Sequence, residues 1–523
     1  MAGLILLSLH ASFDPESHNR LAEIESTSVF DYFAVEVFKK CDPRTQQFLA
    51  QTAVLPQMTA EAAKRLTRMD AQPVIARLQR NNFFLEQRQV DPPSYQYHPL
   101  FRKFLLQMAS RMLGQDALTD VMNRGASIMA ECGLGREAVD LYRQAGNVQS
   151  LADFILSQAA LLVAQGRTHT LNQWIDAFPA NRLHEHPWLL FWKGVCRMHR
   201  QSAAAKELFI QAYETFGSVQ DLWGRVFSWS ALIQVFLIMR DTMADLDRWI
   251  DEGQQLEALI PEDAEPDIRG RFAGSFLLAL SLRNLGHPHF FRVQALCENL
   301  LQRCTDKQVL DILGSLLGMS YLWMGQMNCL GVLLKHAKPM MMHPDAPPVT
   351  RVNFLTVSSI FQVMTGNWAG ARRTIEQTLE LSERTGIHGY DFVVLAYGAY
   401  IGLLTGNRRL VKGYVDRLER LLSPRSAWDS GNYHYIVAAA ALQNQNFAQA
   451  RFHLDEAMKI AEYSGTPHPI GLTLILQATT SILERHDFTR AIDILDRISH
   501  VHVSQDTGHV FFLRELLLAD CAL

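Results

Sequence analysis

The chain has 523 residues, of which 48% are hydrophobic and 20% charged, and its net charge is −4. This length exceeds what one compact core holds, so we expect several units with the composition of an ordinary folded, soluble protein. The net charge gives no global reason to expect binding to nucleic acid or to an anionic membrane. The seven cysteines are scattered and form no CxxC pair, which predicts a reducing cytoplasm and no disulfide framework.

The N-terminal stretch, residues 1–28, consists of a short apolar segment followed by an acidic connector. It does not resemble an export signal, because a basic start and a small-residue cleavage site are both missing. No other segment has 18 uninterrupted apolar residues, so we expect no membrane span and a cytoplasmic protein.

Residues 29–112 predict a small separate domain. Proline at the first position of a helix, as in Asp42-Pro43, is a start signal, and the Asp- and Pro-rich residues 91–94 are typical of a hairpin loop. The predicted elements are helices starting near residue 29, Pro43, Thr59 and Ala71, strands at 83–88 and 95–97, and a closing helix from Pro99 to about Met112. Helices followed by a hairpin and a last helix indicate a winged-helix domain.

From residue 113 onward the sequence predicts helix pairs without strands. A turn signal recurs at intervals of 39, 41, 40, 39 and 41 residues, at Gly286, Gly325, Gly366, Gly406, Gln445 and His486. A second helix breaker lies half a period later at Gly386 and Gly465, and weaker copies lie upstream near Gly135, Gly166, Arg200 and Arg240. A fixed period of this size is the signature of a solenoid of stacked helix pairs, so the fold class is all-α apart from the hairpin.

The period also predicts core residues. A helix should begin two residues after each turn signal, with its buried face at offsets 0, 3, 7 and 10. A small residue recurs at offset 3, where the two helices of a pair approach closely. The predicted core positions are Met327, Leu330, Leu334, Ala337; Trp368, Ala371, Ile375, Thr378; Arg408, Val411, Val415, Leu418; Phe447, Ala450, Leu454, Ala457; and Phe488, Ala491, Leu495, Ile498.

The small domain resembles the winged-helix region of MalT-like regulators, which are STAND-class signal-transduction ATPases that often end in a LuxR-type or related DNA-binding domain. The resemblance covers roughly 30–523 and rests on Phe30-Asp31-Tyr32-Phe33, Phe48-Leu49, Leu66-Thr67, Leu78, Asn82-Phe83-Phe84-Leu85 and Tyr97-His98-Pro99-Leu100-Phe101-Arg102-Lys103-Phe104-Leu105. It implies that residues 113–523 are a TPR-like sensor region and that Ala2-Gly3-Leu4 ends a preceding ATPase module.

The chain departs from the family at both ends. It contains no G-x-x-x-x-G-K-[ST] phosphate-binding loop, and its C-terminus shows no helix-turn-helix pattern. The next turn signal would fall near residue 526, so residues 510–518 form the first helix of an incomplete repeat. We therefore expect a fragment or truncated frame of a longer regulator; a degenerate last repeat is the alternative.

His98 is the sharpest single site that the resemblance implies. In the family, a winged-helix histidine at this place contacts the β-phosphate of ADP, and an imidazole suits that contact because it donates a hydrogen bond and titrates near neutrality. ATP or ADP would therefore be a cofactor of a longer parent protein, and we expect none in this chain. The alternative is a structural histidine between the hairpin and the closing helix.

Aromatic and polar residues at corresponding places of successive repeats predict a ligand surface on one concave wall. The resemblance implies a small inducer or a protein or peptide partner there, and helix-pair packing is the alternative. Self-association is left open. The candidate surface residues are His388, Tyr390, Trp428, Tyr433, Tyr435 and His468.

Three further functions are weighed. Residues 30–112 hold twelve Lys and Arg against seven Asp and Glu, which permits a DNA-binding alternative through Lys64, Arg65, Arg68 and a wing at Arg88.

The histidines at 184 and 186, 287 and 289, and 343 lack helical ligand spacing and a cysteine partner, so we expect no metal. No nucleophile elbow, carboxylate pair or phosphate-binding loop indicates an enzyme. The leading hypothesis is a non-catalytic sensor and scaffold region; a plain repeat adaptor for proteins is the other alternative.

Overall fold

The computed structural model describes residues 34–80, 84–88, 92–284, 286–422, 426–465, 467–501, 514–515 and 517–518. Contacts divide the chain into two compact units: unit 1 comprises 1–158 and 173–180, and unit 2 comprises 159–172 and 181–523. The predicted N-terminal segment 1–28 and most of the predicted last helix at 510–518 lie outside the described residues.

Unit 1 starts, within the described residues, with a helical stretch at 34–39. Its further elements are α1 Pro43–Thr52, α2 Ala60–Thr67, α3 Ala71–Arg80, β1 Leu85–Arg88, β2 Ser94–Tyr97, α4 Pro99–Leu113, α5 Gln115–Glu131 and α6 Gly135–Gln144. The next helices are α7 Val148–Ala164, in which the chain passes from unit 1 to unit 2, and α8 Thr168–Asp176.

The winged-helix prediction is confirmed. The Asp42 carboxylate accepts a hydrogen bond from the Thr45 N–H and starts α1, as Thr59 does for α2 through the Ala62 N–H. The strands β1 and β2 pair antiparallel, with Leu85 opposite Tyr97. Tyr95 also exchanges two backbone hydrogen bonds with Met58, of 2.7 and 2.9 Å, which extends the small sheet by one bridge.

The segment after β2 connects the hairpin to α1. The Tyr97 hydroxyl lies 2.8 Å from the buried Thr52 Oγ1, and Phe101 is completely buried. The Arg102 guanidinium donates to two carbonyl oxygens just beyond the end of α1, those of Ala53 and Val54, both at 2.9 Å. A positive group at a helix C-terminus satisfies carbonyls that have no intrahelical donor. The motif that carried the family resemblance therefore holds the domain together.

Unit 2 is a row of helix pairs. Its helices are α9 Pro187–Arg197, α10 Ser202–Ser218, α11 Leu222–Met239, α12 Leu246–Leu259, α13 Pro266–Arg283, α14 Phe290–Leu301, α15 Lys307–Trp323, α16 Met327–Met341, α17 Pro348–Met364, α18 Trp368–Thr385, α19 Asp391–Leu404, α20 Arg408–Leu421, α21 Ala427–Gln443, α22 Phe447–Ser464, α23 Pro467–Arg485 and α24 Phe488–Val501. The first helices of successive pairs, from α11 to α23, pack side by side. They therefore form the inner wall of the row, and the second helices lie outside it.

The predicted period of about forty residues is confirmed at the level of single residues. Five helices begin at the predicted positions 327, 368, 408, 447 and 488. The turn residues before them have left-handed backbone angles, with φ between 54° and 79° from Gly325 to His486. Gly386 and Gly465 end α18 and α22 in the same conformation. A left-handed residue after a helix terminates it and costs glycine nothing.

The predicted core face is correct at most of offsets 3, 7 and 10 and wrong at three of the five offset-0 positions. Ala371, Ile375, Ala450 and Leu495 are all buried. In contrast, Trp368 and Phe488 are 38% and 40% exposed, and Arg408 is exposed as well. Met327 and Phe447, the first residues of two other helices, are partly buried and pack on the core. Leu334, Ala337 and Val415 are only partly buried.

The close approach in the α19–α20 pair gives a testable size constraint. A Cβ on Gly402 would lie 2.7 Å from Val411 Cγ2 and 2.9 Å from the Val411 backbone nitrogen. We expect Gly402→Ala to destabilise unit 2 by about 1–2 kcal/mol, although alanine favours helix by about 1 kcal/mol. Val411→Ala removes the clash with Cγ2 and leaves that with the backbone nitrogen, so the double variant should recover part of the loss and be more stable than the sum of the single effects. A double-mutant cycle by chemical unfolding measures this, and additive values would contradict it.

One helix in the described residues, Leu222–Met239, is long and apolar enough to cross a membrane. Ten of its residues, including the completely buried Trp229, are enclosed by the core of unit 2. Its composition is explained by that packing.

Candidate functional site

A row of tyrosines lies on two neighbouring inner helices of unit 2. The rings of Tyr397 and Tyr400 on α19 are 5.5 Å apart, and that of Tyr435 on α21 is 6.3 Å from Tyr400. The three side chains, here called the tyrosine row, pack on the core residues of α19 and α21 and are only partly buried. Each α-helix places residues three or four apart on one face, so Tyr397 and Tyr400 point the same way.

The hydroxyl groups are the polar atoms of the tyrosine row. Within the part of the chain that the structure describes, none of the three makes a hydrogen bond to the protein. Burial raises the pKa of Tyr397 and Tyr435 to about 12 and that of Tyr400 further. The row therefore offers neutral hydroxyls, which donate and accept hydrogen bonds, on an aromatic surface.

Tyr433 and Tyr435 are separated by the structure. Both lie within α21, and residues two positions apart in a helix are rotated by about 200° around its axis. Tyr433 packs toward α20, and burial, followed by the charges of Glu419 and Asp416, raises its pKa. Of this pair, only Tyr435 belongs to the tyrosine row.

His388 and Tyr390 lie at the start of α19. The His388 Nδ1 is 2.8 Å from the Asp391 carboxylate, and the histidine side chain is half exposed. Tyr390 packs beside Val352 and Leu381, and burial raises its pKa, with smaller effects from Arg240 and Asp311. The Tyr390 hydroxyl therefore lies near two charged side chains of other inner helices.

Trp428 lies in the first turn of α21 and contacts distant parts of the row. Its ring stacks at 6.4 Å on Trp323 at the end of α15. Its backbone N–H donates a hydrogen bond to the Arg240 carbonyl at 2.9 Å. The Arg240 guanidinium contacts the Asp429 carboxylate at 3.2 Å. This predicted ligand residue therefore joins opposite parts of the inner wall.

His98 lies between β2 and α4. Its backbone N–H donates a hydrogen bond to the Phe84 carbonyl at 2.8 Å, and the centre of its ring is 6.4 Å from that of Phe84. Its side chain makes no capping hydrogen bond to α4. The imidazole is partly buried. The nucleotide contact implied for it concerns a module that the described residues do not contain.

The four basic residues of the DNA-binding alternative, Lys64, Arg65, Arg68 and Arg88, are all exposed. Arg65 is already paired with Glu131 of α5, at 2.6 Å, and α2 packs against α5. Arg68 ends α2 in a left-handed conformation. The helix that would enter a DNA groove is thus partly covered within unit 1.

An open pocket of about 280 Å³ in unit 1 lies beside Arg102, Arg136, Glu137 and Asp140. Two positive and two negative side chains balance, so the pocket favours no charged ligand class. The side chain of His468 lies outside the described residues. Among the described residues, no cluster of three His, Cys, Asp or Glu side chains is arranged to hold a metal ion.

Sequence reasoning missed several residues that the structure brings together, namely Tyr397, Tyr400, Trp323, Arg240 and Asp311. The three-residue spacing of Tyr397 and Tyr400 in an apolar helix was a usable signal for the tyrosine row. Nothing in the sequence could connect Arg240 to Asp429, since 189 residues separate them.

Fold and site together define a winged-helix domain joined to a TPR-like helical repeat region. Residues 34–117 match the MalT winged helix domain family. The chain is 28% identical, over 190 residues, to the HTH-type transcriptional regulator MalT of Klebsiella pneumoniae (strain 342). That alignment covers 36% of this chain and 21% of the relative, so the chain spans about a fifth of the length of the curated relative that it matches. Over residues 34–117 the chain is therefore similar to the winged-helix domain of MalT, and a TPR-like region follows.

Solved structures of helical repeat proteins are also similar to this chain. A STAND protein with a tetratricopeptide repeat sensor from Pyrococcus horikoshii has a TM-score of 0.40 and 11% identity, covering 97% of this chain and 68% of its own. The Cut9–Hcn1 hetero-tetramer of the APC/C has a TM-score of 0.32 and 12% identity, and the match covers 91% of this chain and 100% of that chain. Yeast Tom70 has a TM-score of 0.34 and 11% identity, and the match covers 85% of this chain and 94% of its own.

Proposed function

We propose that this chain is the non-catalytic sensor region of a MalT-like transcriptional regulator, which binds a small inducer or a protein partner on the inner wall of unit 2. The observation that carries the proposal is the tyrosine row: three partly buried phenols whose hydroxyl groups make no hydrogen bond within the described chain. Aromatic faces with a few convergent hydroxyls are typical of ligand sites. We propose that the protein acts in the cytoplasm, as the sequence predicts.

The mechanism we propose is conformational. A ligand on the inner wall changes the arrangement of the repeats only if it binds one arrangement more tightly than another. In a longer parent protein, this change would reach a nucleotide-binding module through the winged-helix domain, and His98 would contact the ADP there. We also propose the domain limits 29–112 and 113–523 for these two parts.

A thermal-shift screen with a library of small metabolites tests the proposal. For a compound that raises the melting temperature, we expect Tyr400→Phe to weaken binding by about tenfold, because it removes one hydroxyl from the site and leaves the ring. The matched control is Tyr463→Phe, which removes a hydroxyl from a tyrosine that is 64% exposed on α22. Calorimetry measures both. No stabilising compound, or equal affinity in the two variants, would refute the proposed site.

A further inference from the structure

A loop of unit 2 reaches across the inner wall to helices that lie far along the row. The loop, residues 240–245, connects α11 to α12 and contacts the start of α21 and the end of α22. The Arg240 carbonyl accepts from the Trp428 N–H at 2.9 Å, and the Met243 N–H donates to the Ser464 carbonyl at 2.7 Å. These contacts, with the Arg240–Asp429 ion pair, are here called the latch.

The latch is supported from a neighbouring pair. Arg283 at the end of α13 donates to the Gly465 carbonyl at 2.7 Å, and two further N–H groups of the same guanidinium donate to Asp247 of α12 at 2.7 and 2.8 Å. Met243 is completely buried and belongs to the apolar core of unit 2. The latch therefore joins the pairs α11–α12 and α13–α14 to the pair α21–α22.

The latch combines apolar and polar contacts. Met243 and Trp428 pack in the apolar core of unit 2, and two backbone hydrogen bonds and one ion pair add to this contact. The Arg240 and Asp429 side chains are only 14% and 10% exposed, and the Arg240 Nε–H is not aligned to donate a hydrogen bond. Polar contacts with incomplete hydrogen bonding offer little net stability, because opening them returns the groups to water.

Further buried polar atoms that have no hydrogen-bond partner among the described residues lie on the same inner helices. Asp311 on α15, Arg351 on α17 and Asp391 on α19 each have one such atom. Burial raises the pKa of Tyr390, and the charges of Arg240 and Asp311 lower and raise it, respectively, by smaller amounts. Burial also raises the pKa of Asp429, against the effect of Arg240. The closed inner wall thus holds several polar groups that water or a ligand would satisfy better.

We propose that the latch holds the inner wall of unit 2 closed and that it opens to admit the ligand or partner to the tyrosine row. This inference rests on the proposed function and adds its regulation: ligand binding and latch closure compete. Opening separates the 240–245 loop from α21 and α22 and exposes the part of the apolar core that Met243 and Trp428 contact. A molecule that needs the open wall therefore binds only to the fraction of the protein in which the latch is open.

Removing the ion pair tests the opening without any natural ligand. We expect Asp429→Asn, and independently Arg240→Ala, to lower the hydrogen-exchange protection of the Trp428 and Met243 amides by about tenfold, with the amides of α15 unchanged. The matched control is Arg292→Ala, which breaks the more exposed Arg292–Glu257 pair of neighbouring outer helices (2.7 Å). Latch amides that keep wild-type protection in both folded variants would overturn the proposal.

A reversible covalent lock tests access to the wall. A Cβ on Gly465 would lie 3.7 Å from the Ala244 Cβ, within the roughly 3.5–4.5 Å that a disulfide requires. The left-handed φ of 65° at Gly465 strains a cysteine in the oxidised and the reduced form alike, so the comparison of these two forms isolates the effect of the lock. The double variant Ala244→Cys with Gly465→Cys, with the exposed Cys132 and Cys329 replaced by serine, is compared oxidised and reduced. The probe is 8-anilinonaphthalene-1-sulfonate. We expect its binding to increase severalfold in Asp429→Asn, to fall below wild type in the oxidised lock, and to recover on reduction.

Equal dye binding in the oxidised and reduced lock would overturn the latch as a gate. A compound from the thermal-shift screen should bind the oxidised lock at least about tenfold more weakly than the reduced form. If the dye follows the lock but no compound binds any variant, the proposed ligand function fails and the latch stands. The two failures are therefore distinguishable.

Discussion

Trp229→Ala should destabilise unit 2 by about 3–5 kcal/mol, the range for truncating a large buried aromatic side chain. Trp229 is completely buried and packs on Phe272 and Phe276 of the next inner helix, with ring centroids 5.1 and 6.0 Å away. Its indole N–H donates to the Trp249 carbonyl at 2.9 Å. The substitution would thus leave a cavity where three successive inner and outer helices meet.

Trp368→Ala is the matched control for this substitution. It removes the same side chain from the start of α18, where it is 38% exposed, and we expect a loss below about 1 kcal/mol. Hydrogen exchange of the α11 and α13 amides measures the local free energy of opening in each variant. Equal losses in the two variants would show that the Trp229 cluster does not determine the stability of unit 2.

Arg102→Ala should destabilise the winged-helix domain by about 2–4 kcal/mol, because it leaves the Ala53 and Val54 carbonyls without their donor. The guanidinium donates to both at 2.9 Å, and these carbonyls follow the C-terminal end of α1, where a positive charge is favourable. Burial lowers the pKa of Arg102, although an arginine stays protonated at neutral pH.

Lys103→Ala serves as the control for Arg102→Ala, because the Lys103 side chain is exposed. We expect this substitution to destabilise the domain by less than about 0.5 kcal/mol. Arg102→Lys should give an intermediate loss, because an ammonium group lacks the planar fork that reaches two carbonyls together. Hydrogen exchange of the α1 amides reports the change. Protection of α1 that is unaffected by Arg102→Ala would show that another group satisfies the two carbonyls.

The winged-helix domain was predictable from local signals because each of its helices carries its own start. Asp42, Thr59 and Pro99 mark the starts of α1, α2 and α4 in the sequence, and each helix begins within one residue of its signal. The functional interpretation of the motif around His98 was less direct. Tyr97, Phe101 and Arg102 act first as packing and capping residues, a role that becomes visible only when α1 lies beside them.

The tyrosine row was predictable only in part. Tyr435 was identified because it recurs at a corresponding place in the repeats, but Tyr433 was grouped with it although the helix turns the two residues to opposite faces. Tyr397 and Tyr400 were not identified, since aromatic residues in an apolar helix are as typical of a core. Whether their hydroxyls find partners depends on the neighbouring helices and not on α19 itself.

The sequence alone determined the repeat period and the starts of the helices, because glycine, asparagine and proline act within one turn of chain. Left-handed residues from Gly325 to His486 end one helix and begin the next wherever the sequence places them. Only the tertiary structure decided the exposure of Trp368 and Phe488 and the contact of Arg240 with Asp429. Arg240 and Asp429 are 189 residues apart, and they meet only because of the accumulated rotations between the successive helix pairs that separate them. Each of these rotations depends on side-chain packing, which no local sequence pattern predicts.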